Sequence, residues 1–173
     1  MAVSYKKLFK ILIDRNMKRK DLQKITGISY ATITKLYNGD NVTMEVIEKI
    51  TPDVLIESED VGFVGIIDNK AYSKYSISND HHNRMVHNYI NGLGNYYKGK
   101  KNLAFFSYIA GGFGINIDSQ IKSIVDETEI CGSCINVHNM IELVKRNEKR
   151  AYSHEDLKKI FSVNREILLS DLC

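Results

Sequence analysis

The most constraining feature of the sequence is a short apolar run that ends abruptly in charged and polar residues. Residues 64–67 (VGII) contain no polar side chain, as is typical of a strand buried on both faces of a sheet. Asp68, Asn69 and Lys70 follow directly. Because side chains alternate along a strand, we expect Asp68 and Lys70 on one face and Asn69 on the other. The sequence therefore predicts an acid and a lysine side by side at the end of a buried strand.

A second acid is expected at the same place. Asp53 lies fifteen positions before Asp68 and begins the short apolar run 54–56. A hairpin that turns through residues 57–60 would bring Asp53 beside Asp68. Two carboxylates and the ammonium group of Lys70 would then converge, which is the outline of a site for Mg²⁺ and phosphate. An isolated acid and lysine at a strand end are more often a solvated ion pair of little energetic value, and the surrounding sequence decides between the two interpretations.

The charge of the chain is unevenly distributed. Its 173 residues carry a formal net charge of +3. Residues 1–52 hold ten Lys or Arg and five Asp or Glu, a balance of +5, whereas residues 53–173 hold fourteen and sixteen, a balance of −2. The first segment is therefore the one suited to bind a polyanion. No apolar run is long enough to span a membrane and no signal-peptide pattern opens the chain, so we expect a cytoplasmic protein.

The three cysteines indicate neither a disulfide framework nor a zinc site. Their odd number argues against paired bridges. Cys131 and Cys134 have the spacing of two zinc ligands, with His138 four residues further on, but the sequence has no second pair. Since residues 130–137 otherwise have the composition of a buried strand, we interpret both cysteines as core residues.

The basic N-terminal segment is predicted to form a small helical module. Apolar residues recur at helical spacing over four stretches, at residues 5–15, 19–26, 30–37 and 43–50. Gly27 is placed to end the second helix in a left-handed cap, and Ser29 is placed to cap the third. A helix, a tight glycine turn and a helix that starts at a serine together make the helix-turn-helix layout.

The same stretch resembles the Cro/C1-type helix-turn-helix family. The matching residues are DLQKITGIS at residues 21–29 and TITKL at residues 32–36. In that family the third helix enters the major groove of DNA and its early residues read base edges. The resemblance implies such contacts, or contacts to the nearby backbone, for Ser29, Tyr30, Thr32, Thr34, Lys35 and Asn38. It implies phosphate contacts for Lys18, Arg19 and Lys20. A helical bundle whose basic face binds proteins is the alternative.

The remainder of the chain is predicted to alternate strands with helices. The apolar runs 103–110 and 130–137 indicate two further interior strands. Helices are indicated at residues 80–93, where Gly92 and Gly94 would end the helix, and at residues 138–150. In the second of these the apolar residues are expected to face inward, namely Met140, Ile141, Leu143 and Val144. This alternation is typical of a mixed α/β sheet covered by helices.

The glycine-rich segment Gly111–Gly114 (GGFG) lies between the strand at 103–110 and a helix with Ile117, Ile121 and Ile124 on one face. It lacks the Lys-Ser/Thr ending of a P-loop and matches no dinucleotide-binding fingerprint. We therefore interpret it as a strand-to-helix turn.

The strand that ends at Lys70, and the residues that follow it, resemble the FokI-type cleavage domain of type IIS restriction endonucleases. The residues that carry the resemblance are GIIDNKAYS at residues 65–73 and an ordered tail at 104–107, 112–114, 132–137, 155–157 and Phe161. The resemblance covers about residues 52–162 and implies the PD-(D/E)xK nuclease fold with Mg²⁺-dependent cleavage of double-stranded DNA. Carried over by position, Asp53 and Asp68 would hold the metal, with the backbone carbonyl of Asn69 as a further ligand. Lys70 would position the attacking water.

The resemblance also implies a homodimer, because cleavage domains of this type pair through the helix after the catalytic strand. An acid and an arginine pair across that interface in the family. Aligned loosely, Arg84 and Asn88 occupy their positions here, so this charge pair is absent.

We therefore expect a small all-helical helix-turn-helix domain at residues 1–51, followed at residues 52–173 by an α+β or α/β nuclease-like domain with a mixed sheet. Together they would form an endonuclease of a restriction system. One alternative is a transcriptional regulator whose second domain is degenerate and only dimerises. Another is a nuclease that acts on RNA, or on DNA without sequence preference.

Overall fold

The chain divides into two units, Met1–Thr51 and Pro52–Cys173. The computed structural model describes residues 5–14, 16–43, 46 and 52–172. Among the described residues, no helix combines the length and the apolar character needed to cross a membrane.

The described residues of the first unit form three helices that pack around a small apolar core. They are α1 (Lys6–Asp14), α2 (Arg19–Thr26) and α3 (Tyr30–Asn38). The core consists of Phe9, Leu12, Leu22, Ile28, Ile33 and Leu36. These helices agree with the first three predicted from apolar spacing. The predicted fourth helix, at residues 43–50, falls largely outside the described residues.

The second unit is built on a mixed four-stranded sheet, which confirms the predicted fold class. The strands are β1 (Val54–Ser58), β2 (Phe63–Lys70), β3 (Asn102–Ala110) and β4 (Cys131–Asn136), and they lie in this order across the sheet. β1 is antiparallel to β2, whereas β2, β3 and β4 are mutually parallel. The hairpin turn occupies residues 59–62 and not residues 57–60 as predicted, because Glu57 and Ser58 still pair with Val64 and Phe63.

Helices cover both faces of this sheet. One face carries a continuous helical segment made of α4 (Asn79–Asn83), a π-helical stretch (Arg84–Ile90) and α5 (Asn91–Tyr97), together with α6 (Ile117–Thr128). The other face carries α7 (Val137–Lys149), α8 (His154–Phe161) and a 3₁₀ turn (Leu169–Leu172). The sheet is therefore buried on both sides, as the apolar strands predict.

The prediction that Gly92 and Gly94 end the helix after β2 is wrong. The helix continues through both glycines to Tyr97. Each glycine costs about 1 kcal/mol of helix propensity. Tyr97 is 7% exposed and its hydroxyl donates a hydrogen bond to Glu57, so burial and a distant partner hold the last turn in place.

Two of the residues predicted to face inward on α7 face outward. Leu143 is buried, but Ile141 and Val144 are 50% and 49% exposed. The helix instead turns the face with Asn139 and Leu143 inward, because the Asn139 amide donates a hydrogen bond of 2.9 Å to the Ile167 carbonyl. Leu143 and Met140 pack in the core on this same face, so the orientation of α7 combines apolar packing with a polar contact that apolar spacing does not reveal.

Candidate active site

One edge of the sheet gathers the polar residues that the sequence singled out. Because β2, β3 and β4 are parallel, their last residues, Lys70, Ala110 and Asn136, lie at the same edge. β1 runs in the opposite direction and begins at that edge. We call it the carboxyl edge of the sheet, after the ends of its parallel strands.

Asp53 reaches this edge through the hairpin pairing. The last register pair between β1 and β2 is Val54 with Ile67, so Asp53 stands opposite Asp68. Its carboxylate oxygen Oδ2 accepts a hydrogen bond of 2.7 Å from the backbone N–H of Asn69. This bond fixes Asp53 against the strand that carries Asp68. The structure therefore brings together the two acids that the predicted hairpin was expected to join.

Asp68 and Lys70 form a buried ion pair at the end of β2. The Lys70 Nζ lies 2.8 Å from Asp68 Oδ2, and the two side chains are only 7% and 5% exposed. Their shared face follows from the alternation of side chains along the strand. An ion pair at this depth is not the solvated surface pair of the alternative interpretation.

The electrostatics of Asp68 are dominated by burial. Burial raises the pKa of this carboxyl, and the hydrogen bond and positive charge of Lys70 oppose that rise. The negative charge of Asp53 raises the pKa further, and the positive charge of Arg84 lowers it. The net pKa stays above the ordinary value of an aspartate. A further cation near both acids would favour the ionised form.

Arg84 is a buried cation that the sequence analysis did not assign to the site. Its side chain is 6% exposed, lies in the π-helical stretch and makes an ion pair of 2.6 Å with Asp80. It faces the buried side of the helix that packs on the sheet, together with Met85 and Tyr89. The signal that could have found it is an acid four residues before an arginine on a helix.

The oxygen atoms at the carboxyl edge suit a hard divalent cation. Within the described part of the chain, no group of three or more His, Cys, Asp or Glu side chains could hold a metal. The carboxylates that the structure places side by side at this edge are those of Asp53 and Asp68. Mg²⁺ is commonly held by one or two carboxylates, with water and substrate phosphate completing its shell. This donor set therefore fits Mg²⁺ and does not fit a site built from protein side chains alone.

The first unit has the local structure of a helix-turn-helix. α2 ends at Gly27 with φ of +66°, a backbone conformation that glycine adopts without strain. The Ser29 hydroxyl then accepts a hydrogen bond of 3.1 Å from the Thr32 N–H at the start of α3. Ile33 and Leu36 are buried and form the inward face of α3. The helix therefore presents its polar residues outward.

The residues predicted to contact DNA lie on the surface of this unit. Lys18, Lys20, Ser29, Tyr30, Lys35 and Asn38 are exposed, and Arg19, Thr32 and Thr34 are half-buried. Some of these groups already have partners within the unit. The Arg19 guanidinium lies 3.7 Å from the ring centre of Tyr37, and the Thr34 hydroxyl donates to the Tyr30 carbonyl over 2.9 Å.

Two protein families match the chain. The model of the FokI cleavage domain matches residues 31–168, and that of the Cro/C1-type helix-turn-helix DNA-binding domain matches residues 7–51. The two matches share residues 31–51. No curated protein matches the chain.

Solved structures of the restriction endonuclease FokI have a similar fold. FokI bound to DNA aligns with a TM-score of 0.57 and 19% identity, over 68% of this chain and 23% of that chain. A second FokI structure aligns with a TM-score of 0.55 and 17% identity, over 86% of this chain and 33% of that one. At these identities the likeness establishes the fold. The family model of the FokI cleavage domain also covers most of the length of this chain. The chain therefore belongs to the FokI cleavage-domain family.

Proposed function

We propose that this protein is a DNA-binding, Mg²⁺-dependent endonuclease that hydrolyses phosphodiester bonds of double-stranded DNA. The observation that carries the proposal is the buried Asp68–Lys70 ion pair with Asp53 beside it, at one edge of a sheet with the fold of the FokI cleavage domain. In this proposal residues 1–51 bind DNA and residues 52–173 cut it, as a homodimer and as part of a restriction system.

Asp53, Asp68 and the carbonyl of Asn69 are the proposed metal ligands. The family match supports a divalent cation, and the all-oxygen donor set favours Mg²⁺. When bound, Mg²⁺ supplies Lewis-acid stabilisation of the phosphate oxygens. Asp53 is held for this role by the Asn69 N–H, and Asp68 by Lys70.

Lys70 is proposed to act on both the water and the phosphate. Its ammonium group can donate a hydrogen bond to the attacking water, and its charge opposes the negative charge that develops on the phosphate oxygens. The water oxygen forms a bond to phosphorus while the bond from phosphorus to the 3′ oxygen breaks. The attacking water gives up one proton to the solvent, the 3′ oxygen takes one up from the solvent as it leaves, and the other fragment keeps a 5′ phosphate.

The DNA-binding role of the first unit rests on its surface. Tyr30, Lys35 and Asn38 are exposed on α3 and are proposed to face the major groove with Ser29, Thr32 and Thr34. Lys18, Arg19 and Lys20 are proposed to contact phosphates. The net charge of +5 over residues 1–52 supports the assignment of DNA binding to the first unit.

The proposal is tested by cleavage of plasmid DNA with and without Mg²⁺. We expect Asp68→Ala and Lys70→Ala each to lower the cleavage rate by at least about 10²-fold. The matched control is Lys101→Ala, which removes a lysine paired with carboxylates near the turn of the same hairpin. A homodimer predicts that the rate rises more steeply than the enzyme concentration.

Three results would contradict the proposal. They are cleavage that survives both substitutions, cleavage without any divalent cation, or equal losses in the Lys101→Ala control. Salt-sensitive binding to DNA with no cleavage under any metal would support the transcriptional regulator instead. Faster cleavage of RNA than of duplex DNA would reassign the substrate.

A further inference from the structure

A ladder of aromatic rings runs from the core of the second unit to the carboxyl edge of the sheet. The ring centres of Phe106 and Tyr108 are 6.2 Å apart, those of Tyr108 and Tyr75 are 5.5 Å apart, and those of Tyr75 and Tyr72 are 5.7 Å apart. Phe106, Tyr108 and Tyr75 are at most 2% exposed, whereas Tyr72 is 55% exposed. Tyr72 is therefore the exposed end of a series of contacting aromatic rings, only two residues after Lys70.

The Tyr72 backbone is held on both sides. Its N–H donates a hydrogen bond of 2.8 Å to the Lys70 carbonyl, and its own carbonyl accepts one of 2.8 Å from Gly111. A Cβ at residue 111 would lie 2.9 Å from this carbonyl oxygen, so only glycine allows the close approach. The GGFG segment, a strand-to-helix turn as predicted, thus fixes the segment that carries Tyr72.

The Tyr72 ring is also held by its neighbour. It stacks on the Tyr75 ring with an angle of 24° between the planes. The Tyr75 hydroxyl is hydrogen-bonded to His81 Nδ1 over 2.9 Å, and the Tyr75 N–H donates to the Gly112 carbonyl over 2.8 Å. One face of the Tyr72 ring therefore packs on a fixed support, and an exposed rigid ring loses little conformational entropy when it binds a partner.

We propose that Tyr72 is a DNA-contacting residue of the cleavage site, and this inference rests on the proposed function. Its exposed ring packs against the nucleotide beside the scissile phosphate and thereby holds that phosphate at Asp68 and Lys70. In duplex DNA the base faces are covered by their neighbours, so the ring meets the apolar C–H groups of the sugar, and contacts to the sugar and phosphate do not read the sequence. The contact therefore positions the phosphate for cleavage at any sequence that the first unit selects.

Photo-crosslinking tests the contact without requiring cleavage. The full chain is bound to duplex DNA carrying 5-iodouracil, with Ca²⁺ in place of Mg²⁺, then irradiated and mapped by mass spectrometry. We expect a crosslink on Tyr72, retained by Tyr72→Phe and lost in Tyr72→Ala. Cleavage with Mg²⁺ is measured in parallel, where Tyr72→Ala should cut about tenfold more slowly and Tyr72→Phe should restore most of the rate.

Val144→Ala is the matched control, since Val144 is 49% exposed on α7 and belongs to neither the site nor the ladder. It should cross-link and cleave like the wild type. The inference is overturned if no crosslink maps to Tyr72, whatever the effect of Tyr72→Ala on the rate. If the wild type cross-links at Tyr72 but cuts no DNA with Mg²⁺, the contact stands and the proposed hydrolysis fails.

Discussion

The two ends of the β1–β2 hairpin carry the same chemistry in opposite environments. At the open end, Lys70 pairs with Asp68 at 2.8 Å, and both side chains are at most 7% exposed. Near the turn, Lys101 pairs with Glu57 at 2.8 Å and also with Glu59, and these two glutamates are 42% and 82% exposed. Each end thus holds a lysine against carboxylates. Because the Lys101 side chain is only 13% exposed, the burial of the carboxylates is what separates the two ends.

Burial reverses the direction in which the pKa of the carboxyl group shifts. At the open end it outweighs the lysine and raises the pKa of Asp68. Near the turn, hydrogen bonds from Lys101 and Tyr97 outweigh the small effect of burial and lower the pKa of Glu57. An exposed pair adds a little stability, whereas a buried pair costs desolvation that the attraction barely repays. The protein therefore tolerates at its candidate active site an arrangement that stability alone does not favour.

Removing one member of the buried pair should have the largest effect on stability. Lys70→Met leaves the ionised Asp68 buried beside Asp53, and we expect the free energy of unfolding to fall by about 3 kcal/mol at neutral pH. Protonation of Asp68 limits the loss. Urea denaturation of the metal-free protein measures the change.

The matched control removes both charges. Asp68→Asn combined with Lys70→Met should unfold with a free energy within about 1 kcal/mol of the wild type, or above it, because neither residue is then a buried unpaired ion. A double variant as unstable as Lys70→Met would show that the pair supports the fold and would remove the contrast between the two ends.

The two carboxyl groups should contribute to stability with opposite dependence on pH. The pKa of Asp68 is raised in the folded state, so the native protein binds the carboxyl proton more tightly than the unfolded chain does. The contribution of Asp68 to stability therefore falls as the pH rises from the ordinary value of 3.8 through the folded pKa. The pKa of Glu57 is lowered, so its contribution is complete above the ordinary value of 4.5 and is lost as the pH falls through the folded pKa. In the metal-free protein, carboxyl ¹³C NMR should show a titration midpoint above the ordinary value for Asp68 and one below the ordinary value for Glu57.

Mg²⁺ sharpens this test. An excess of the cation should lower the Asp68 midpoint and leave that of Glu57 unchanged, because only the first lies in the proposed metal site. Midpoints displaced in the same direction, or a Glu57 midpoint that responds to Mg²⁺, would contradict the assignment of roles to the two ends.

The open end of the hairpin could be predicted from sequence because local rules determine it. The alternation of side chains along β2 places Asp68 and Lys70 on one face, and the short hairpin places Asp53 opposite Asp68. The remaining residues at the site arrive from distant segments. Arg84 comes from the helix after β2, and Gly111 from the loop after β3, where its N–H meets the Tyr72 carbonyl. The spacing of Asp80 and Arg84 indicates an ion pair along a helix, but no spacing in the sequence places Arg84 or Gly111 near the end of β2.

Two helices were harder to predict for the same reason. Glycine propensity would end the helix before Tyr97, yet the burial of Tyr97 and its bond to Glu57 extend it. On α7, the contact between Asn139 and Ile167 and the packing of Leu143 turn one face inward and leave Ile141 and Val144 exposed. Tertiary partners decide both cases, and local propensity is only a weak prior where such partners exist.

The smallest expected effect is at the exposed pair and completes the comparison. Glu57→Gln keeps the size of the side chain and removes a charge that is largely in water, so we expect the free energy of unfolding to change by less than about 1 kcal/mol at neutral pH. The change should shrink further in high salt, since an exposed attraction is screened. Cleavage of DNA should be unaffected. Urea denaturation at low and high salt checks the first two expectations, and a loss as large as that of Lys70→Met would mean that exposure does not distinguish the two ends.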